Sequence, residues 1–255
     1  MYNPSPLKVI KINSPADRAA ERFGTALFII LSGGFQDAYT YHARDGVFAN
    51  AQTGNIVLAG QNFATGHWMT ALRYAVPILA FVGGICLAQE VRRHFQSLRV
   101  IHWRQIILIL EIAILFAVGM LPTECNIAAN VLASFSCAMQ VDSFRKVRGN
   151  AYATTMCIGN LRSATDLLCA WRANKDRALL QKSIQYYLFI LIFAVGAVLG
   201  GVMTSLLGLK AVWLCCAGIL VSFLAMFIRE ETQDHNPEKP SGSKDDDIEN
   251  KETDG

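Results

Sequence analysis

The chain has 255 residues, 53% of them hydrophobic and only 17% charged, against roughly 25% charged in soluble domains, and its mean hydropathy is +0.31. The net charge of +3 is small and no basic stripe with interleaved aromatics occurs, which argues against nucleic acid as a partner. Seven cysteines are scattered without a CxxC pair, so neither a disulfide framework nor a zinc site is supported.

Charges fall at the two ends and in short clusters, and between them run segments near the ~20 apolar residues that cross a bilayer. Residues 1–22 are polar, carry Lys8, Lys11, Arg18 and Arg22, and are broken by Pro4, Pro6 and Pro15. The first apolar segment follows this long polar lead, so it reads as a retained span rather than a cleaved signal. Span 1 covers about Phe23–Tyr41 and contains Gln36 and Asp37. A polar segment at 46–60 is too short for a crossing. Span 2 covers Ala71–Glu90, ahead of a basic loop with Arg92, Arg93, Arg99 and Arg104. Span 3 covers Gln105–Leu121, with Glu111 as its one charge, and ends in a loop at Pro122 with no Lys or Arg. Span 4 covers Ile127–Phe144 and meets Arg145, Lys146 and Arg148. A second polar segment at 150–170 leads to a basic loop with Arg172, Lys175, Arg177 and Lys182. Spans 5 and 6 cover Ile184–Leu207 and Leu209–Ile228, and 230–255 reads as a disordered acidic tail.

Basic loops stay on the cytoplasmic side. This rule puts the basic stretches and both termini inside and the Pro122 loop outside. Only two full crossings fit between successive basic stretches, so the polar segments dip in and out: the first from the outer face, the second from the cytoplasmic face. The predicted fold is an all-α integral membrane protein. It has six transmembrane helices plus two re-entrant half-helix segments, arranged as an inverted 3+3 repeat (about 23–121 and 126–228) within a membrane domain at 23–229. Such repeats bring broken helices together near the midplane, where non-helical backbone survives only under a cover of protein or trapped water.

The two polar segments are echoes of one another. Gly46–Asn55 ends in Gln52-Thr53-Gly54-Asn55, and Ala151–Asn160 contains Thr154-Thr155 and ends in Gly159-Asn160; the Gly-Asn pairs lie 105 positions apart. Each follows an apolar segment with a Gln, Gln36 and Gln140, which are 104 apart, and each precedes one with Val-Gly, Val82-Gly83 and Val195-Gly196.

With Gly34, Asp37-Ala38, Gly46-Val47-Phe48 and Gln52–Asn55 in one half, and Met139-Gln140, Thr154–Cys157 and Gly159–Ser163 in the other, the chain resembles the YoaK-like family of bacterial inner-membrane proteins, a domain-of-unknown-function group. The resemblance covers about 24–228. It implies a multispanning bacterial inner-membrane protein and supplies no substrate. Ile158 stands where the family tends to have Thr, which removes one hydroxyl from the second motif.

Gly54-Asn55 and Gly159-Asn160 read either as ligand-binding positions, with close backbone approach and an amide that both donates and accepts, or as helix C-caps. Asp37 reads as a proton or cation site or as the partner of Arg44. Glu111, about 10 Å into its span at 1.5 Å per residue, has no basic neighbour within a turn. Asp142 is expected to pair with Arg145 and Arg162 with Asp166. The small-residue stripes Ala80–Gly84–Ala88 and Gly196–Gly200 suit close helix packing, within the repeat or in a homo-oligomer. His94 and His102 read as solvated. No GxSxG, P-loop or HExxH motif is present, and the expectation is a non-enzyme without metal or cofactor.

These readings converge on a transporter or channel for a small polar solute or ion in the lipid bilayer. The candidate site comprises Gln36, Asp37, Gln52, Thr53, Gly54, Asn55, Glu111, Gln140, Thr154, Thr155, Gly159 and Asn160, with Asp37 or Glu111 coupling protons. The alternative is a membrane scaffold or regulator acting through its cytoplasmic loops and tail.

Overall fold

The computed structural model describes residues 23–96, 102–147, 150–151 and 157–234. The N-terminal segment 1–22, Thr154 and Thr155 of the second motif, and the tail beyond 234 lie outside the described residues.

Eight α-helices follow in order among the described residues: α1 (Phe23–Ala43), α2 (Gln52–Ala64), α3 (Trp68–Phe95), α4 (Trp103–Met120), α5 (Asn126–Ser143), α6 (Cys157–Asn174), α7 (Arg177–Leu207) and α8 (Trp213–Asp234). Tight 3-10 turns at Thr123–Cys125 and Gly208–Val212 join α4 to α5 and α7 to α8. Between α5 and α6 two short strands, β1 (Lys146–Val147) and β2 (Asn150–Ala151), pair antiparallel with Lys146 opposite Ala151. Apolar patterning gave no sign of this hairpin. The final helix runs to Asp234, into the segment expected to be tail.

Local chemistry sets several boundaries. His102 accepts the N–H of Arg104 while Gln105 Oε1 accepts the N–H of His102, a reciprocal cap that opens α4. His102 is therefore half-buried and structural rather than solvated, whereas His94 lies exposed beside Glu90. Lys175, at φ 56°, ends α6, and the Asp176 carboxylate accepts the Ala178 N–H at 2.8 Å to open α7.

Three stretches are long and apolar enough to cross a membrane: Trp68–Phe95, Trp103–Met120 and Arg177–Met226, the last comprising α7, its turn and most of α8. They are consistent with a membrane protein. Many of their large apolar side chains face outward, as at Leu79, Val198 and Leu206, while others such as Leu108 and Leu115 pack inside. Helices α1 and α5 fall short of that criterion because they carry the buried polar groups, Gln36, Asp37 and Thr40 on one and Asn126, Asn130, Ser134, Gln140 and Asp142 on the other. These two helices are mostly buried, so protein rather than lipid surrounds their polar faces.

The main packing pairs are α1 with α7, α3 with α5, α6 with α7, α2 with α3, α1 with α8, α4 with α5, and α4 with α8. Exchanging α1–α4 with α5–α8 turns this set into itself. The closest approaches follow the same exchange. A β-carbon at Gly196 or Gly200 would run into the carbonyl of Leu31 or Phe35, and one at Gly34 into that of Phe193. A β-carbon at Gly84 would run into the carbonyl of Phe135. Leu31 and Phe135 are 104 positions apart, the same separation as Gln36 and Gln140. The small-residue stripes thus serve contacts inside the chain, and the glycine matching Gly196 is Gly84 rather than Gly83.

Contacts also give helix directions. Leu31 meets Gly196 and Phe35 meets Gly200, so α1 and α7 run the same way. Gly84 meets Phe135 and Gln89 binds Asp142, so α3 and α5 run the same way. Helix α5 runs against α1, because Asn130 reaches the carbonyl of Arg44 while Cys137 reaches Gln36. Helix α8 also runs against α1, with Ser222 at Thr25 and Tyr39 at Leu209. The shared core lies among α1, α4, α5 and α8 and includes Ile29, Phe35, Leu108, Leu115, Ala129 and Ile219.

A buried polar centre as the candidate functional site

The first polar segment turns back into the protein. Asp45 and Gly46 both have positive φ, 63° and 72°, and together reverse the chain after α1; Asp and Gly tolerate that region best. The chain then returns alongside α1. Asn50 donates its side-chain N–H to the Gly33 carbonyl at 3.1 Å and its backbone N–H to Asp37 Oδ1 at 2.7 Å. The amides of Ala49 and Ala51 also turn toward that carboxylate. Gly33 is midway along α1, so α2 begins about 15 Å inward from the end of α1, by the helical rise of 1.5 Å per residue.

The Gly-Asn motif therefore sits in the first turn of α2 and of α6, not at a helix C-terminus. Asn55 is fully buried and staples the returning loop: its Oδ1 accepts the Phe48 N–H at 3.0 Å, and its Nδ2 donates to Phe48 O at 2.8 Å and Gln52 Oε1 at 2.9 Å. Gly54 leaves room for the Phe48 ring, which a β-carbon would strike. Gln52 donates to Ala49 O at 2.8 Å and to Ser134 Oγ of α5 at 3.4 Å. Thr53 is exposed and stands apart from this network.

At the same depth the two mirrored glutamines meet on one acid. Gln36 Nε2 donates to Glu111 Oε1 at 3.3 Å and to Ser32 Oγ at 3.0 Å, and Gln140 Nε2 donates to the same Glu111 oxygen at 2.9 Å. The Cys137 thiol donates to Gln36 Oε1 at 2.9 Å, and the Asn50 side chain also reaches it. Gln36, Glu111, Ser134, Cys137 and Gln140 are fully buried. No salt bridge involves Glu111 among the described residues. Three acceptor atoms of this centre have no hydrogen-bond partner among the described residues: Glu111 Oε2, Gln140 Oε1 and Asn50 Oδ1.

Asp37 does not pair with Arg44. Its carboxylate is committed to the loop amides, while the fully buried Arg44 serves the end of the bundle. Arg44 donates to the carbonyls of Val118 at 2.7 Å, Leu121 at 2.9 Å and Pro122 at 3.2 Å, to Asn126 Oδ1 at 3.0 Å and to the Tyr39 hydroxyl at 3.1 Å. It thus caps the C-terminus of α4, where a cation complements the helix dipole. Tyr39 in turn donates to Leu209 O at 2.9 Å.

The second motif is less fully described. Asn160 is buried and partnered, whereas Gly159 is exposed with open space around it. Cys157, the first residue of α6, lies within electrostatic reach of Asp37, which brings the start of α6 toward the same centre as the start of α2. The expected pairs Asp142–Arg145 and Arg162–Asp166 both form, and Gln89 also binds Asp142 at 2.6 Å.

Asn50, Cys137 and Ser134 belong to the network although motif reading did not select them as site residues. Ser134 and Cys137 precede Gln140 at steps of three, one helical face, which was the available signal. Asn50 lies inside the first motif, four residues before Gly54.

Chemically, the centre can hold a proton, a small cation or a solute that donates hydrogen bonds, because its unsatisfied atoms are all acceptors. No group of three His, Cys, Asp or Glu side chains that could hold a metal ion occurs among the described residues. The molecule is thus a helical protein with apolar helices consistent with a membrane and a polar centre wrapped by them. Residues 25–225 match the family model described as a protein of unknown function, DUF1275, and the chain belongs to that family. No curated protein and no solved structure matches it.

Proposed function

We propose that this protein is a transporter or channel for a small polar solute or ion, with its site at the buried polar centre between the starts of α2 and α6. The observation that carries the reading is the return of residues 44–51 to the middle of α1, where α2 starts beside Asp37, Asn50 and Ser134. Broken helices whose ends meet among buried polar groups are the usual construction of a transport site.

In this reading the chain makes six crossings, and its halves form an inverted repeat within a YoaK-like bacterial inner-membrane protein whose termini are cytoplasmic. The exchange-symmetric packing, the helix directions and the 104-residue separation of Leu31 and Phe135 support it. Asp37 and Glu111 are the ionisable groups available for coupling. The protein acts without catalysing a chemical reaction and needs no cofactor.

The test uses the full chain in liposomes given inward gradients of sodium, potassium, ammonium, urea or glycerol, with ion entry read by ion- and pH-sensitive dyes inside and urea or glycerol entry by light scattering as the vesicles reswell. The expected result is flux of one of these probes that falls at least tenfold in Gln36→Leu and Gln140→Leu proteins that still insert and stay monodisperse. Absence of flux across the whole panel, or undiminished flux in both variants, contradicts the reading.

A further inference from the structure

The hydrogen-bond pattern around Glu111 is lopsided. Its Oε1 accepts two amide N–H groups, from Gln36 and Gln140, while its Oε2, equally buried, has no partner. An ionised carboxylate has two equivalent oxygens and several acceptor positions on each; a protonated acid has one carbonyl oxygen that accepts and one hydroxyl that donates. Two donors on one oxygen and none on the other is the pattern of the acid. The partner side of the pair carries a matching vacancy in its bonding: Gln140 donates through Nε2, and its Oε1 accepts from nothing. This amide orientation follows from the bond to Glu111: turned over, the amide would set an oxygen against the Oε1 that already accepts from Gln36. One proton on Oε2 would turn that oxygen into a donor, and Gln140, already bonded to the other oxygen of the same carboxyl, carries an acceptor that lacks one.

We propose that Glu111 and Gln140 are the proton-binding pair of this protein, with the proton on Glu111 Oε2 shared with Gln140 Oε1, and that proton uptake and release at this pair drives the transport cycle. The statement about the cycle rests on the transport reading above; the statement about the proton does not. Uptake forms one O–H bond at Oε2 and release returns the proton to water or to the bound solute, with nothing oxidised or reduced. Asp37, the other acid of the centre, is excluded from this part because its carboxylate holds the backbone of the returning loop. The ionisable groups facing Glu111 are Cys137 on α5 and Cys215 and Cys216 on α8, with Asp37 on α1 beyond Cys137. No ion pair to Glu111 occurs among the described residues, and the buried Arg44 is spent on the end of α4. Loss of the proton would leave a buried anion with two amide donors and no counter-charge, so release must accompany water or cation entry or a rearrangement of the centre.

The experiment is infrared difference spectroscopy of the full chain in lipid nanodiscs at neutral pH, read in the region of the protonated carboxyl stretch. A band from a buried protonated acid is expected, lost in Glu111→Gln and shifted in Gln140→Leu. Glu111→Gln reproduces the donor–acceptor layout of the protonated acid, so this variant is expected to fold with unchanged thermal stability. Absence of such a band, its persistence in Glu111→Gln, or failure of Glu111→Gln to fold each overturns the proton assignment. A liposome assay of proton-dependent flux separates the two claims. The band without flux leaves the proton pair standing and ends the transport reading; flux that persists in Glu111→Gln ends the coupling role.

Discussion

Arg44 is the residue on which the end of the bundle depends. A guanidinium buried without a carboxylate is tolerated only where its five N–H groups find acceptors, and here they find one carbonyl in the last turn of α4, two of the α4–α5 connection, one amide oxygen and one hydroxyl. Removing it takes the charged donor from all five; Val118 O and Pro122 O keep the N–H of Leu121 and Cys125, while Leu121 O and Asn126 Oδ1 lose the bond that Arg44 supplies. Arg44→Met is expected to cost about 3 kcal/mol or more, from hydrogen bonds to a charged donor worth about 1.5–3 kcal/mol each before relaxation. Arg44→Lys is expected to recover less than half, because a single ammonium cannot span the fork. Thermal unfolding in detergent reads both, and an unchanged midpoint in Arg44→Met contradicts this role. The sequence placed Arg44 one helix face from Asp37 and suggested an ion pair. What it did not carry was the reversal at Asp45-Gly46, which turns the loop amides onto Asp37 and leaves Arg44 to the neighbouring helix end.

Two helix pairs, α1 with α7 and α3 with α5, approach so closely that glycine is required at the contact. Gly196→Val on α7 and Gly84→Val on α3 each drive a side chain into a backbone carbonyl of the partner, with an expected cost of about 1–3 kcal/mol as overpacking. The matching controls are Gly201→Ala on α7 and Gly218→Ala on α8, where nothing lies within 4 Å of the new carbon; they are expected to be neutral. Equal unfolding midpoints for the valine and alanine variants would remove close approach as the reason for these glycines. This scale was the most legible in the sequence. The apolar segments, the stripes Gly84–Ala88 and Gly196–Gly200, and the mirrored Gln36 and Gln140 were all visible, because periodicity and spacing survive in one dimension. The start of α2 inside the motif rather than before it was not visible, since Gly and Asn favour either end of a helix. The β1–β2 hairpin was also hidden, because its strands are two residues each.

At the scale of the whole molecule, a one-dimensional echo becomes a three-dimensional convergence. Gln36 and Gln140, equivalent by spacing, bind the same oxygen of Glu111. Glu111 has no described counterpart in the network from α8, which presents Cys215 and Cys216 near it. The centre draws on both echoed glutamines but is chemically one-sided, a property that motif comparison alone suggested only through Ile158. The buried polar groups of α1 and α5 sit inside and apolar faces of α3 and α7 outside, which is why both helices are legible as spans in the sequence yet are less apolar than the three stretches long and apolar enough to cross a membrane.

The central claim is that the two motif segments reach one buried centre from opposite faces of the membrane. Its most direct test is labelling by a membrane-impermeant maleimide in oriented vesicles. One protein keeps Cys157 as its sole thiol; a second lacks all native cysteines and carries Gln52→Cys. The account predicts that the Gln52→Cys protein is labelled only from the outer face and that Cys157 is labelled only from the cytoplasmic face. Labelling of both from the same face would contradict it.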